Sequence, residues 1–266
     1  MDELRKKAKE LIESGSVKIL IGYEEGSGNQ PRALFAIKPE DTSKLIFDSR
    51  CIQNLAVYIT KQEIKAKGVM GITATLPVMR SIIQLAKEKQ VSDANLKVIG
   101  ITPESKLIDF KDFAEIEKYI HQFQLGIDEK NRVMLEKLEK MTIQERWNFW
   151  LEELAPCFKC YACRAACPMC YCHRCTVEYN QPQWIPVPSH AIGNLEWHIM
   201  RAVHLIGRCI DCDACANACP LAIPFNLLNK RMLEDAKIHF GGYQPTLEGD
   251  HLMSSYKPED QENFIR

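Results

Sequence analysis

The chain has 266 residues, a formal net charge of −1, an apolar fraction of 46% and twelve cysteines. That length gives room for one large or two modest domains. The balanced charge offers no basic excess for nucleic acid, and no apolar stretch reaches the roughly eighteen residues a membrane span needs.

Met1–Glu13 predicts an amphipathic helix with Leu4, Ala8, Leu11 and Ile12 on one side. Arg5, Lys6, Lys7 and Lys9 interrupt it, so it lacks the character of a secretory leader, and a cytoplasmic protein is expected. Val17–Ile21 predicts a strand ended by a turn-rich loop, Gly22 to Pro31, with Arg32–Ile37 as its hairpin partner. Gln53–Thr60 and Lys61–Lys65 look helical, Gly68–Thr73 is a strand, and Pro77–Lys89 is a helix with Pro77 in its first turn. Leu96–Ile101 is a further strand, followed by a helix around Asp112–Phe123. Strands alternating with helices imply an α/β layer with some parallel pairing over residues 1–125. The loop Gly22 to Gly28 lacks the spacing of a dinucleotide fingerprint, since Pro31 stands where a third glycine belongs, and Glu24 and Glu25 would repel a phosphate. The turn Thr73–Pro77, with Arg80 one turn on, is a weaker candidate for holding an anion on free backbone N–H groups.

Residues 126–155 predict a helical linker, Asp128–Lys140 and Thr142–Leu154, the second opened by a Thr142/Glu145 capping box. Its stripe of Trp147, Trp150, Leu151 and Leu154 is expected to pack against the cysteine-rich domain. Eleven of the twelve cysteines lie between Cys157 and Cys219, which sets apart residues 156–240 as that domain. Within it, Gln181–Pro188 is extended, and Asn194–Ile206 and Pro224–His239 are helices. A polar tail, 241–266, closes the chain and is expected to reach a partner.

Cys157-x2-Cys160-x2-Cys163-x3-Cys167-Pro168 recurs as Cys209-x2-Cys212-x2-Cys215-x3-Cys219-Pro220. This spacing is that of paired [4Fe–4S] cubanes, in which three thiolates of a tight turn hold one cube and the fourth reaches the other. It predicts one site from Cys157, Cys160, Cys163 and Cys219, and a second from Cys209, Cys212, Cys215 and Cys167. Structural zinc needs only two separated cysteine pairs and has no use for a third close thiolate. Disulfides do not suit a reducing cytosol. Four cysteines remain: Cys51, Cys170, Cys172 and Cys175. Four would complete one further cube, linking the two halves; a zinc site using His173, or free buried thiols, are the alternatives. His198 and His204 are expected as satisfied interface histidines, and Lys159, Arg164 and Arg208 as cations offsetting cluster charge.

The run from Cys160 through Cys163, Cys167, Cys170 and Cys172 to Cys175, then Pro182-Gln-Trp-Ile185 and His204-Leu-Ile-Gly-Arg-Cys209, resembles iron–sulfur beta subunits of the formate dehydrogenase and deazaflavin-reducing hydrogenase type. Phe47–Thr60 resembles the N-terminal domain of that group, so the likeness spans most of residues 15–240. The helical dicluster part also resembles the C subunit of heterodisulfide reductase. The resemblance implies a multi-subunit redox complex of anaerobes, with a heterodisulfide-reductase-like flavoprotein, a hydrogenase or a formate dehydrogenase as partner. Deazaflavin-reducing members bind a flavin, for which Thr73–Pro77 offers no glycine-rich segment. The chain is expected to be an α/β domain followed by a mainly helical dicluster ferredoxin-type domain. No Ser/His/Asp arrangement, paired carboxylates or phosphate loop offers a catalytic site, so electron relay between redox subunits is the expected function. The alternative is a flavin-containing subunit that itself oxidises or reduces a nicotinamide or deazaflavin. A third reading makes the N-terminal domain a docking module.

Overall fold

The apolar runs become the interior of a five-stranded mixed sheet. The computed structural model describes residues 1–179, 181–240, 244–249 and 252. The strands are β1 (Ile19–Glu25), β2 (Pro31–Ala36), β3 (Met70–Ala74), β4 (Leu96–Ile101) and β5 (Leu107–Asp109), in the order β2-β1-β3-β4-β5. The three central strands run parallel, with Ile19 beside Met70 and Ile72 beside Val98. Both edge strands pair antiparallel to their neighbours. Strands covered on both faces need apolar residues throughout, and all five residues of β3 are buried. On β1, Ile19, Ile21 and Tyr23 enter one core while Leu20 enters the other, as a period of two requires.

Around the sheet lie α1 (Asp2–Glu13), the one-turn α2 (Gln62–Lys65), α3 (Leu76–Lys87) and α4 (Phe113–Ile120). The amphipathic first helix buries Leu4 and Ala8 against Leu20, Leu34 and Leu45. α3 is the crossover between the parallel strands β3 and β4, and α4 begins where the Asp112 carboxylate accepts from the Glu115 N–H.

Three local expectations change. β1 runs on to Glu25, through Gly22: a Cβ there would come within 2.3 Å of the Leu45 side chain, so this glycine admits a close neighbour rather than a turn. Gln53–Thr60 forms only a single 3-10 turn, Leu55–Val57, whose Ala56 N–H is taken by the Asn54 side chain. β5 went unforeseen because its three residues carry no readable period.

The C-terminal half is helical: α5 (Glu129–Lys140), α6 (Ile143–Leu154), the one-turn α7 (Ala162–Ala165), α8 (Ala191–His204), the one-turn α9 (Ala214–Asn217) and α10 (Asn226–Phe240). The predicted capping box forms, Thr142 accepting from the Glu145 N–H at 3.2 Å and Glu145 accepting from the Thr142 N–H at 2.7 Å. Trp150, Leu151 and Leu154 of α6 pack on Leu195, Ala202 and Phe225, whereas Trp147 stays half exposed. The stretch Gln181–Pro188 is irregular. Most of the tail 241–266 lies outside the described residues; Pro245 and Leu247 bond to His121 and Glu117 of α4.

The larger core continues from the sheet into the cysteine-rich half through Met169 and Leu205. Beside it, Arg208 grips Glu88 with two N–H groups at 2.7 and 2.8 Å, and the Tyr171 hydroxyl donates to the same carboxylate at 2.7 Å. Burial alone would raise the Glu88 pKa, but Arg208 and its other donors outweigh that and hold it below its ordinary value. The carboxylate is therefore charged at neutral pH. A buried pair stripped of one partner leaves an uncompensated charge, costing several kcal/mol. Glu88→Ala should lower the unfolding free energy by about 3 kcal/mol in denaturant titration; a loss under about 0.5 kcal/mol, the scale of an ordinary surface change, would show that this junction is not structural.

Candidate iron–sulfur centres

The sequence repeat is also a backbone repeat. In the first loop Lys159 and Tyr161 take left-handed φ values of 54° and 61°; in the second Asp211 and Asp213 take 55° and 53°. Four residues with side chains in that region are costly. The conformation wraps each loop so that backbone N–H groups turn toward sulfur, the Lys159 N–H lying 3.4 Å from Cys157 Sγ. Tyr161 and Asp213 then open the one-turn helices α7 and α9, which pack against each other.

Cys157, Cys160, Cys163 and Cys219 line one cavity of about 420 Å³, open to the surface beside Phe158 and Leu221. Cys167, Cys209, Cys212 and Cys215 line a second of about 390 Å³, walled by Met169, Leu205 and Ile210. Each loop thus lends its last cysteine to the other loop's cavity, and Cys215 stands in both walls. None of the twelve cysteines is in a disulfide. Burial raises the thiol pKa of Cys157, Cys163 and Cys209, and pushes Cys215 up to about 12. Such thiols would stay protonated unless a positive centre took the proton's place, and bound metal does this by deprotonating the sulfur outright. The four cysteines of the crossed grouping around each cavity, with N–H donors turned toward them, fit a cubane, Cys215 also bordering the first. Among the described residues no three His, Cys, Asp or Glu side chains converge as they would around a single ion.

The other four cysteines are dispersed among different surroundings. Cys51 is buried in the sheet core near Tyr23, Cys170 contacts Cys167, Cys172 is exposed, and Cys175 packs near Val177 and Trp197. Arg80 does not serve an anion at Thr73–Pro77, because its guanidinium donates to the Phe123 and Gln124 carbonyls at 2.9 and 3.1 Å.

The charged groups differ from expectation. Arg164 is engaged by Glu178 and Arg208 by Glu88, so neither is a free cation. Lys159 is buried and donates to the Pro186 and Pro188 carbonyls. The cation that reaches the sulfurs is Arg201 of α8, which the motif spacing did not single out. Only 3% exposed, it lies 4.8 Å from the Trp197 ring centroid and 4.7 Å from that of Phe225. It donates to Cys163 Sγ at 3.0 Å and approaches Cys170 Sγ at 3.7 Å. An arginine four residues after Trp197 and three after His198, on the face carrying Leu195 and Ala202, was the available signal. His198 is not the satisfied histidine expected: it is buried in the first cavity's wall, with neither ring nitrogen partnered among the described residues. Burial, then Arg201 and Lys159, lower its pKa to about 3, so it is neutral. His204 is exposed.

Fold and site together define a cysteine-rich chain in which a mixed α/β sheet is joined to a helical unit holding two interlocked four-thiol cavities. Over 104 residues, 37% of its length, it is 31% identical to the F420-dependent formate dehydrogenase subunit beta of Methanocaldococcus jannaschii. Over 65 residues, 24% of its length, it is 38% identical to the F420-dependent formate dehydrogenase 1 subunit beta of Methanococcus maripaludis. The matched stretches span 26% and 15% of those relatives, well under half of either. The motif resemblance pointed to this group of subunits. No family model matches the chain. No helix among the described residues is long and apolar enough to cross a membrane.

The first loop is anchored by Asn194 of α8, whose amide reaches the carbonyls of Leu154 and Ala155 at 3.2 Å and of Cys157 at 2.7 Å. It thereby satisfies the end of α6 where the chain enters the motif. Asn194→Ala leaves those buried carbonyls unpaired and should cost about 1–3 kcal/mol of unfolding free energy, read from the denaturant midpoint of the intact chain. An unchanged midpoint would mean that water replaces the amide freely.

Proposed function

We propose that this chain is an electron-transfer subunit of a multi-subunit redox complex. It would hold one [4Fe–4S] cluster on Cys157, Cys160, Cys163 and Cys219, and another on Cys209, Cys212, Cys215 and Cys167. The single observation that carries this reading is the exchange of the fourth cysteine between two cavities of similar size. Each cluster, when bound, supplies one-electron chemistry, and everything else falls to the protein. Loop N–H groups orient the sulfurs, as Lys159 does for Cys157. Met169, Leu205 and Ile210 exclude water from the second cavity, while Trp197 and Phe225 flank the first. The first cavity reaches the surface at exposed Cys160 and at the exposed apolar Phe158, a natural exit toward a partner. The names of the relatives support a formate dehydrogenase complex; a hydrogenase or a heterodisulfide-reductase-like flavoprotein is the related partner class.

Only two clusters are proposed, since Cys51 and Cys170 face the sheet core whereas Cys175 packs near Trp197 and Cys172 is exposed. Anaerobically reconstituted protein should carry roughly eight irons and eight sulfides per chain. Roughly twelve irons would restore a third cube, and eight irons with one zinc would place zinc on the remaining cysteines. Cys167→Ser and Cys209→Ser should alter the same electron paramagnetic resonance signal, and Cys157→Ser and Cys219→Ser the other. Pairing of Cys167 with Cys157 in that test, or a colourless preparation, would end the proposal.

A second reading has one observation in its favour. A cleft of about 360 Å³ separates Gln53, Asn54 and Tyr58 from the alanines of α7 and α9. This is within the range of small-molecule sites, and Asn54 also reaches Cys212. A flavin or deazaflavin ring there would make the chain an oxidoreductase subunit in its own right. A stoichiometric flavin in the acid-released supernatant selects this reading; iron and sulfide alone reject it.

A further inference from the structure

The two loops share left-handed backbone at equivalent positions but are opposite in charge. Lys159 in the first corresponds to Asp211 in the second, and Tyr161 to Asp213. Around the first cavity, Lys159 donates only to neutral carbonyls and neither it nor Arg201 forms an ion pair among the described residues, although the field of Glu196 reaches Lys159 and that of Glu178, itself paired with Arg164, reaches Arg201. Arg201 adds a charge-assisted bond to Cys163 at 3.0 Å from between two aromatic faces. Around the second cavity, buried Lys230 meets Asp211, Asp213 at 3.2 Å and Asp128 at 3.9 Å. With Arg80 added, whose field reaches Asp211 from α3, three carboxylates still face two cations. The sulfur donors there are all neutral: the Asp211 and Ala214 N–H groups on Cys209 and Cys212, the Asn54 amide on Cys212, and the Asn229 amide at 3.9 Å from Cys215.

We propose that the two sites are electrically unequal, the first being the easier to reduce, because Arg201 and Lys159 face it while Asp211 and Asp213 face the other. The inference rests on the two-cluster reading above and assigns these residues the setting of the potentials. Reduction adds one electron to a site, with no bond or proton changing, so a nearby cation favours it and a nearby carboxylate opposes it. Net charge, hydrogen bonds to sulfur and solvent access are the protein's means of setting a cluster's potential. Charge and solvent access point one way here, since the first cavity is also the one with an exposed cysteine, Cys160; the sulfur donors of the second site are more numerous but uncharged, whereas the first has the Arg201 guanidinium. Electrons entering at the second site would therefore collect at the first, beside the surface opening at Phe158. Arg201 also lies near Cys167, so its field acts on both sites, but it bonds to a thiol of the first.

The test is a potentiometric titration of the reconstituted full chain, followed by electron paramagnetic resonance, with Cys160→Ser and Cys212→Ser marking which signal belongs to which cavity. The signal altered by Cys160→Ser should titrate at the higher potential, by at least tenfold in the one-electron equilibrium, or about 59 mV. Arg201→Gln should move that signal down by about tenfold, or about 59 mV, and should move the other less. Arg201→Lys keeps the charge and should retain most of the potential, which also covers the case in which Arg201→Gln fails to load. Asp211→Asn should raise the second signal; asparagine tolerates the left-handed conformation of that position, so the loop is preserved. A higher potential at the Cys212-marked site, midpoints closer than tenfold, or an Arg201→Gln shift confined to the second site each overturn this inference alone. A chain that takes up no iron and sulfide fails the functional reading itself.

Discussion

The structure depends on one geometric constraint: two loops of the same sequence pattern can share their last cysteines only if they lie side by side. The contact of α7 with α9 provides this, and the alanines of both short helices allow the backbones to approach. From that contact come the exchanged positions of Cys167 and Cys219 and the shared wall at Cys215. The remaining helices of this half form a clamp around it. α8 supplies Asn194 to the first loop and Arg201 to its sulfur, while α10 supplies Lys230 and Asn229 to the second. Left-handed backbone at four non-glycine positions is strain that the clamp must hold, which is why a buried amide and buried cations stand at the loops.

Arg201 brings out the energetic logic. A guanidinium with 3% exposure and no carboxylate partner is an expensive thing to bury. Two aromatic faces and one bond to sulfur offset part of that cost, yet its Nε still lacks a partner among the described residues. In the protein without metal, positive charge is therefore in excess around the first cavity. A site built this way suits a centre whose thiolate shell is negative, since the field of the protein and that of the centre then cancel.

The repeat that places the eight cysteines around two cavities was legible because spacing within a tight turn is fixed by covalent reach, which sequence states directly. The capping box at Thr142 and Glu145 was legible for the same reason, its partners being three residues apart. Arg201, Glu88 and Lys230 were not, because their importance comes from partners up to 120 residues away in the chain. Arg201 lies on α8 and Arg208 in the turn that follows it, and only the fold commits one to a thiol and the other to a carboxylate. Gly22 was misleading, since a glycine beside a loop suggests a turn, while here it admits the Leu45 side chain within a strand.

The sheet layer contributes more than support. Met169 and Leu205 belong to its core, and Cys167 and Cys209 pack against it, so the α/β half adds cover to a second cavity whose own lining comes from the cysteine-rich half. The first cavity has no such cover and opens at Phe158 and Cys160. The Glu88–Arg208 pair fixes how deeply the second site sits, because Arg208 immediately precedes Cys209 and also donates to the Met169 carbonyl at 3.2 Å. Burial of one thiol set and exposure of its twin thus result from which face of the cysteine-rich half the sheet occupies. Two equivalent motifs acquire different dielectric surroundings from their place in the fold, before any difference in loop charge is counted.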